Sequence, residues 1–156
     1  MTLPPFQVFL DEHAESIHRF LVSLVGPQEA EDCLQESLIA ALRAYPRLRP
    51  GSNVRAWALT IARNKAIDSA RARGRRPLPV EDAGERLAAP ARAPAEHDGD
   101  LWAAVRELPP RQRAAVSLRY AGDLPHRDVA RAMGCSEDAA RRSVHEGLKR
   151  LREVLS

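Results

Sequence analysis

The chain has 156 residues, of which 44% are hydrophobic, 29% are charged and 4% are aromatic, and its formal net charge is +3. This composition fits a soluble globular protein, and its wealth of Ala, Leu and Arg favours helices over sheets. No apolar run approaches the roughly 20 residues of a membrane span, and the N-terminus lacks the layout of a secretory signal. We therefore expect a cytoplasmic protein without membrane insertion. Cys33 and Cys135 match neither a zinc pattern nor a redox pair, and we expect two reduced, packed thiols.

Charge alternates in blocks along the chain. Residues 1–42 hold seven acids and one base, whereas residues 43–76 hold ten bases and one acid. Residues 77–110 return to seven acids against three bases, and residues 111–156 carry ten bases against six acids. Two basic blocks predict two surfaces that face a polyanion, with a different partner for the acidic surfaces. The alternative is that the charges simply coat solvated helices.

The front of the chain reads as a helical domain. Apolar residues at spacings of three, four and seven predict a first helix that ends at Gly26 and Pro27. In the second helix the residues predicted to face inward are Ala30, Cys33, Leu34, Leu38, Ala41 and Leu42. Its opposite side is polar and acidic, with Glu29, Asp32, Gln35 and Glu36.

A third helix is predicted over residues 53–73, and two of its sides differ in character. One side carries residues small enough for close helix packing, namely Leu59, Ala62, Ala66 and Ala70. Another arc holds Trp57, Asn64, Asp68 and Arg71, with arginines and Lys65 around the end of the helix. Cationic side chains neutralise phosphates, and polar or aromatic groups can hydrogen-bond or stack on exposed bases. The alternative is a core Trp57 beside a solvated basic tail.

Residues 77–98 contain four prolines and show neither a helical nor a strand period. Because proline lacks a backbone donor and restricts the residue before it, no continuous helix can cross this stretch. The sequence therefore predicts an all-α protein with a front domain over residues 1–76, a flexible linker over 77–98 and a rear domain over 99–156.

The rear domain carries the pattern of a helix-turn-helix. Val129, Ala130 and Met133 line a short helix, a tight turn follows at Gly134, and Ser136 is placed to cap the next helix. In that next helix the inward stripe is Ala140, Val144, Leu148 and Leu151, whereas Asp138, Arg142, His145 and Lys149 point the other way. Such a second helix is typical of those that enter the DNA major groove. The alternative is an ordinary helical hairpin.

Three stretches in this order resemble the bacterial RNA polymerase sigma factors of the extracytoplasmic-function group. They are AEDCLQESLIAAL, RPGSNVRAWALTIARNKAIDSAR and LPPRQRAAVSLRYAGDLPHRDVARAMGCSEDAARRSVHEGLKRLR. The resemblance covers nearly the whole chain and implies two helical domains, a sigma-two helical bundle and a sigma-four helix-turn-helix. It implies a subunit that binds core polymerase, reads the minus-ten and minus-thirty-five promoter elements and assists melting. Relatives are commonly held inactive by an anti-sigma protein, which the resemblance adds as a further partner.

The resemblance also assigns residues. The clamp helices of the largest polymerase subunit would dock on Asp32, Gln35 and Glu36, and the polymerase flap would dock on the rear domain. The loop before the third helix would hold a flipped base, so the minus-ten set is Gly51, Ser52, Asn53, Arg55, Trp57, Arg63, Asn64, Lys65, Asp68 and Arg71. The minus-thirty-five set is Arg127, Ser136, Arg141, Arg142, His145 and Lys149.

This chain departs from the family pattern at four positions of the rear domain. In the recognition helix Ser143 replaces a frequent arginine, and Glu146 adds charge unfavourable to phosphate. Pro125 stands where many relatives have a capping Ser or Thr, so either Asp123 substitutes as the cap or the entry to the helix is tighter. Gly147 lies inside the recognition helix, where glycine costs about 1 kcal/mol relative to alanine.

A degenerate interaction protein that occupies the polymerase without initiating is one alternative to this interpretation, and two other function classes also compete with it. One is a helix-turn-helix regulator that acts without being a polymerase subunit. This alternative assigns no function to the basic third helix. The other is an enzyme, for which the sequence offers little. His13 and His18 do not have the spacing of a zinc-binding helix, and we expect no catalytic residue, metal or cofactor.

Overall fold

The computed structural model describes residues 3–72 and 97–155, and these are helical without a strand. Helix α1 (Phe6–Val25) and helix α2 (Pro27–Ala44) are joined at Gly26, and a 3₁₀ turn (Tyr45–Arg47) leads to helix α3 (Val54–Ala72). These elements form the front module. The predicted linker falls almost entirely on residues 73–96, which lie outside the described residues.

The rear module begins with helix α4 (His97–Arg106) and helix α5 (Pro110–Val116). A π-helical turn (Ser117–Ala121) then precedes helix α6 (His126–Met133) and helix α7 (Glu137–Leu155). The turn closes where the Gly122 amide donates to the Ser117 carbonyl at 2.9 Å. Within the described parts of the chain, none of the helices combines the length and the apolar character that a membrane span requires.

The turn between α6 and α7 has the predicted geometry. Gly134 takes the left-handed conformation with φ of 72°, which glycine adopts without a Cβ clash. The Ser136 hydroxyl then accepts a hydrogen bond from the Ala139 amide at 3.0 Å, so the predicted cap of α7 is confirmed. Pro125 precedes α6 without any side-chain cap, and Asp123 does not replace it. The Asp123 carboxylate instead lies 3.6 Å from the Arg55 guanidinium in the front module.

The predicted inward stripes are largely confirmed. Leu59, Ala62 and Ala66 of α3 are fully buried, and so are Ala140, Val144 and Leu151 of α7. Leu42 was expected to face inward on α2, and that expectation is wrong, because the side chain is 52% exposed. A period of 3.6 residues places Leu42 at the edge of the apolar arc, where packing partners decide which way it faces.

The front and rear modules pack against each other. One continuous core joins side chains of α1 and α3 to side chains of the π-helical turn, α6 and α7. A Cβ on Gly122 would lie 2.6 Å from Leu59 Cδ1, so a larger residue would collide with α3. Arg106 extends the interface by donating to the Val22 carbonyl, near the end of α1, at 3.0 Å. A smaller second core within the rear module contains Val105, Leu108, Val116 and Leu151.

Packing against α5 explains why a glycine stands at position 147 inside α7. The residue is buried, and a Cβ there would lie 2.7 Å from Val116 Cγ2 on α5. The absence of a side chain lets α5 and α7 approach closely, which offsets the helix-propensity cost of glycine.

Candidate nucleic-acid interface

The loop before α3 is tied down by local hydrogen bonds. Gly51 has a φ of 91°, and the Ser52 hydroxyl donates to the Arg49 carbonyl at 2.7 Å. The Asn53 side-chain oxygen accepts from the Ala56 amide at 3.0 Å, so Asn53 caps the first turn of α3. The structure therefore brings Gly51, Ser52 and Asn53 together at the positive end of a helix, where a phosphate would be favoured.

The same asparagine also contacts the rear module. Its amide nitrogen donates to Asp128 Oδ2 at 2.7 Å, although the two residues are 75 positions apart. Asp128 is 2% exposed and lies in the first turn of α6, where its other oxygen is 3.8 Å from the Arg131 guanidinium. Arg55 makes the parallel contact to Asp123 at 3.6 Å. Sequence reasoning assigned Asn53 and Arg55 to a promoter face and missed that both meet acids of the rear module.

Trp57 lies in an aromatic cluster rather than free in solvent. Its ring centroid is 5.9 Å from that of Phe9 in an edge-on geometry, and 6.3 Å from that of Tyr45. The side chain is half-buried, so part of the indole stays accessible beside the loop. Two aromatic contacts of this kind hold the ring in place, since such pairs contribute about 0.5–1.5 kcal/mol each.

The remaining predicted residues of α3 divide between two directions. Asn64 and Asp68 are exposed, and Lys65 is half-buried. Arg63 is half-buried and lines a cavity against the rear module. Burial, and next the nearby Arg111 guanidinium, lower the pKa of Arg63 from its ordinary value. The side chain of Arg71 lies outside the described residues.

The rear module presents its predicted residues to solvent. Arg142, His145 and Lys149 are exposed at intervals of three and four, which places them on one face of α7. Arg127 and Ser136 are exposed as well. Arg141 is exposed and donates to the Glu137 carboxylate at 2.7 Å, so part of its charge is neutralised locally. The face offers guanidinium, ammonium and imidazole donors, the groups that bind base edges and phosphates.

The acidic side of α2 forms a third exposed surface. Asp32, Gln35 and Glu36 are all exposed, and two large apolar side chains continue their stripe. These are Ile39, which is 50% exposed, and Leu42, at 52%. An exposed apolar strip beside carboxylates is typical of a protein-docking face. Sequence reasoning missed this strip, although the spacing of Gln35, Ile39 and Leu42 could have indicated it.

Comparison with known proteins places the chain in a family. The model of Sigma-70 region 2 matches residues 9–76, and the model of Sigma-70, region 4, matches residues 98–151. The chain is 32% identical over 157 residues to the RNA polymerase sigma factor CarQ of Myxococcus xanthus, covering 96% of this chain and 88% of that protein. It belongs to the extracytoplasmic-function sigma factors of RNA polymerase. As such, this sigma factor directs promoter-specific transcription, and the alternative of a regulator outside the polymerase is set aside.

Two further relatives support the assignment. The chain is similar to the sigma factor SigE of Mycolicibacterium smegmatis, with 31% identity over 162 residues, covering 99% of this chain but 63% of that protein. The fold resembles that of the sigma factor RpoE of Bartonella quintana, whose co-crystal structure holds the anti-sigma factor NepR. That likeness has a TM-score of 0.79 and 28% identity, and it covers 96% of both chains.

Proposed function

We propose that this sigma factor works through three separate surfaces. The acidic side of α2 binds the clamp helices of the largest polymerase subunit, the Gly51–Asn53 loop with α3 reads and melts the minus-ten element, and α7 reads the minus-thirty-five element. The observation that carries the proposal is the division of charge. Exposed acids with an apolar strip lie on α2, whereas exposed cations at helical spacing lie on α7.

The minus-ten surface would act by capturing bases as they leave the duplex. Extruding a base costs a few kcal/mol, and each base stacked on a ring or bound in a pocket returns about 1–3 kcal/mol. The half-exposed indole of Trp57 and the amide of Asn53 lie at the two ends of the first turn of α3, next to the helix N-terminus. On this view the protein performs no covalent chemistry and serves as a non-catalytic subunit in the cytoplasm.

Access to that surface would require the modules to separate. Asn53 and Arg55 are engaged by Asp128 and Asp123, so the packed arrangement holds two minus-ten residues against the rear module. We propose that this arrangement is the free form, and that polymerase binding pulls the modules apart over the stretch that joins them. The likeness to a sigma factor crystallised with NepR supports an anti-sigma protein as a partner of the packed form here as well.

The test of the docking surface is a charge reversal on α2. The double variant Asp32→Lys and Glu36→Lys should weaken binding to purified core polymerase by about 100-fold, because like charges placed across an interface cost several kcal/mol. Binding is measured by fluorescence anisotropy of the labelled chain, and transcription by run-off assays with core enzyme.

A matched control is available on α1. Asp11 and Glu15 are exposed and have the same four-residue spacing, so their reversal to lysine changes the net charge equally. The control should bind polymerase nearly as the wild type does. Equal losses in both double variants would mean that only net charge matters, and unchanged binding by the α2 variant would remove the acidic side of α2 from the interface.

A further inference from the structure

A cavity of about 200 Å³ lies between the front and rear modules. Leu24, Arg63 and Ile67 line it from α1 and α3, and Arg111, Arg113 and Met133 line it from α5 and α6. Apolar side chains and three arginines therefore share its lining. None of the residues used so far for polymerase docking or for the minus-thirty-five face takes part.

Two arginines of this cavity, Arg63 and Arg111, repel each other. Arg63 is half-buried, and both its burial and the proximity of Arg111 lower its pKa. Among the described side chains, those of residues 3–69 and 100–155, no carboxylate oxygen lies within 4 Å of the Arg63 or Arg111 guanidinium. A half-buried Arg63 guanidinium beside that of Arg111, with no described carboxylate at ion-pair distance from either, favours an anion at this site.

The apolar part of the lining requires that the ligand also carry an apolar group. A dry cavity of about 150 Å³ accepts one benzene ring, so the volume here suits a single ring together with a small headgroup. Phosphate and carboxylate groups match the planar fork of arginine in a bidentate geometry.

We propose that this cavity binds a small amphiphilic anion: one ring-sized apolar body against Leu24, Ile67 and Met133, with its phosphate or carboxylate held by Arg63 and Arg111. Since these residues come from both modules, the ligand binds the packed arrangement better than a separated one. It therefore shifts the population toward the packed form. If Arg63 contacts the minus-ten element, as the proposed function holds, the ligand also competes with promoter binding.

The first experiment measures binding to the full chain alone. Isothermal titration with phenyl phosphate should give one saturable site per chain. Inorganic phosphate lacks the apolar body, and phenol lacks the charge. Each should bind at least about tenfold more weakly than phenyl phosphate does. Equal affinity for phenyl phosphate and inorganic phosphate would indicate simple anion binding to surface cations and would overturn the proposal.

Variants locate the site. Arg111→Gln and Arg63→Gln should each weaken phenyl phosphate binding by about tenfold or more, the effect expected for one lost charge-assisted hydrogen bond. Met133→Trp should fill the cavity and abolish binding. Arg111 is exposed, so Arg111→Gln keeps the test decisive even if Met133→Trp fails to fold. Arg19→Gln, an exposed arginine on α1 away from the cavity, should bind as the wild type does.

Two results would refute the site. One is the absence of saturable phenyl phosphate binding by the folded wild type, and the other is equal binding by the wild type and Arg111→Gln. Neither involves polymerase or DNA, so such a failure leaves the proposed function standing. Conversely, a chain that binds phenyl phosphate but directs no transcription with core enzyme would refute the proposed function alone. With both intact, saturating phenyl phosphate should lower run-off transcription by the wild type and not by Arg111→Gln.

Discussion

The two candidate promoter surfaces differ in how far they are available. On the rear module Arg142, His145 and Lys149 all face solvent, whereas on the front module Asn53 and Arg55 contact acids of the rear module. The packed arrangement therefore engages two residues of the proposed minus-ten set and none of these three residues of the proposed minus-thirty-five set. Under the proposed function, the residues that meet acids at the module interface belong to the melting surface rather than to the surface for duplex recognition.

The largest effect on transcription is expected from the exposed face of α7. Arg142→Ala should lower run-off transcription from promoters that need the upstream element by about 5- to 150-fold, since one base contact contributes about 1–3 kcal/mol. Arg150→Ala is the matched control, an exposed arginine of α7 outside the proposed contact set. A loss that is equal at every promoter would indicate phosphate anchoring instead of base reading.

The next effect concerns coupling between the modules. Gly147→Ala should destabilise the rear module by about 1–3 kcal/mol, because the added Cβ would lie 2.7 Å from Val116 Cγ2. Each module contains one of the two tryptophans, Trp57 in front and Trp102 behind, so single-tryptophan variants report their unfolding separately in urea. Since one core spans both modules, both probes should shift together. A shift confined to Trp102 would show that the modules unfold independently.

The part-buried hydrogen bond between Asn53 and Asp128 is expected to give the third-largest effect. Asp128→Ala removes the partner of the Asn53 amide and should raise the affinity of the free chain for a single-stranded minus-ten oligonucleotide by about tenfold, since a hydrogen bond to a charged group contributes about 1.5–3 kcal/mol. Fluorescence anisotropy gives the affinity, and a parallel urea titration checks that the variant is folded. If a folded variant binds the oligonucleotide no better than the wild type, the contact does not limit access.

The smallest effect on DNA binding is expected at the exposed ion pair between Arg55 and Asp123. Asp123→Asn removes the charge opposite Arg55 and keeps a residue that tolerates the positive φ of 62°. A solvent-exposed ion pair contributes less than about 1 kcal/mol, so the same oligonucleotide affinity should rise by about twofold, and only at low salt. A larger gain would mean that Arg55, rather than Asn53, controls the packed arrangement.

Much of the candidate site follows from local signals. The Ser136 cap, the left-handed turn at Gly134 and the outward cations of α7 were all predictable, since caps and helical period act within a few residues. The same signals erred at Leu42, which faces solvent beside the acidic residues of α2. They also offered Asp123 as a cap of α6, whereas it pairs with Arg55. Both errors have the same cause. Whether Leu42 is buried and which group Asp123 contacts depend on residues of other helices, which local signals do not include.

The sequence by itself determined the helices, the alternating blocks of charge and the membership of a sigma factor family, because periodicity, capping and motif order are properties of neighbouring residues. Only the tertiary structure decided which charged groups meet. It brought Asn53 to Asp128 across 75 positions, and it placed Arg63 and Arg111 in the lining of one cavity between two modules. The physical reason is that packing between distant helices depends on shape across the whole interface. At Gly122, for example, an added Cβ would lie only 2.6 Å from Leu59 Cδ1.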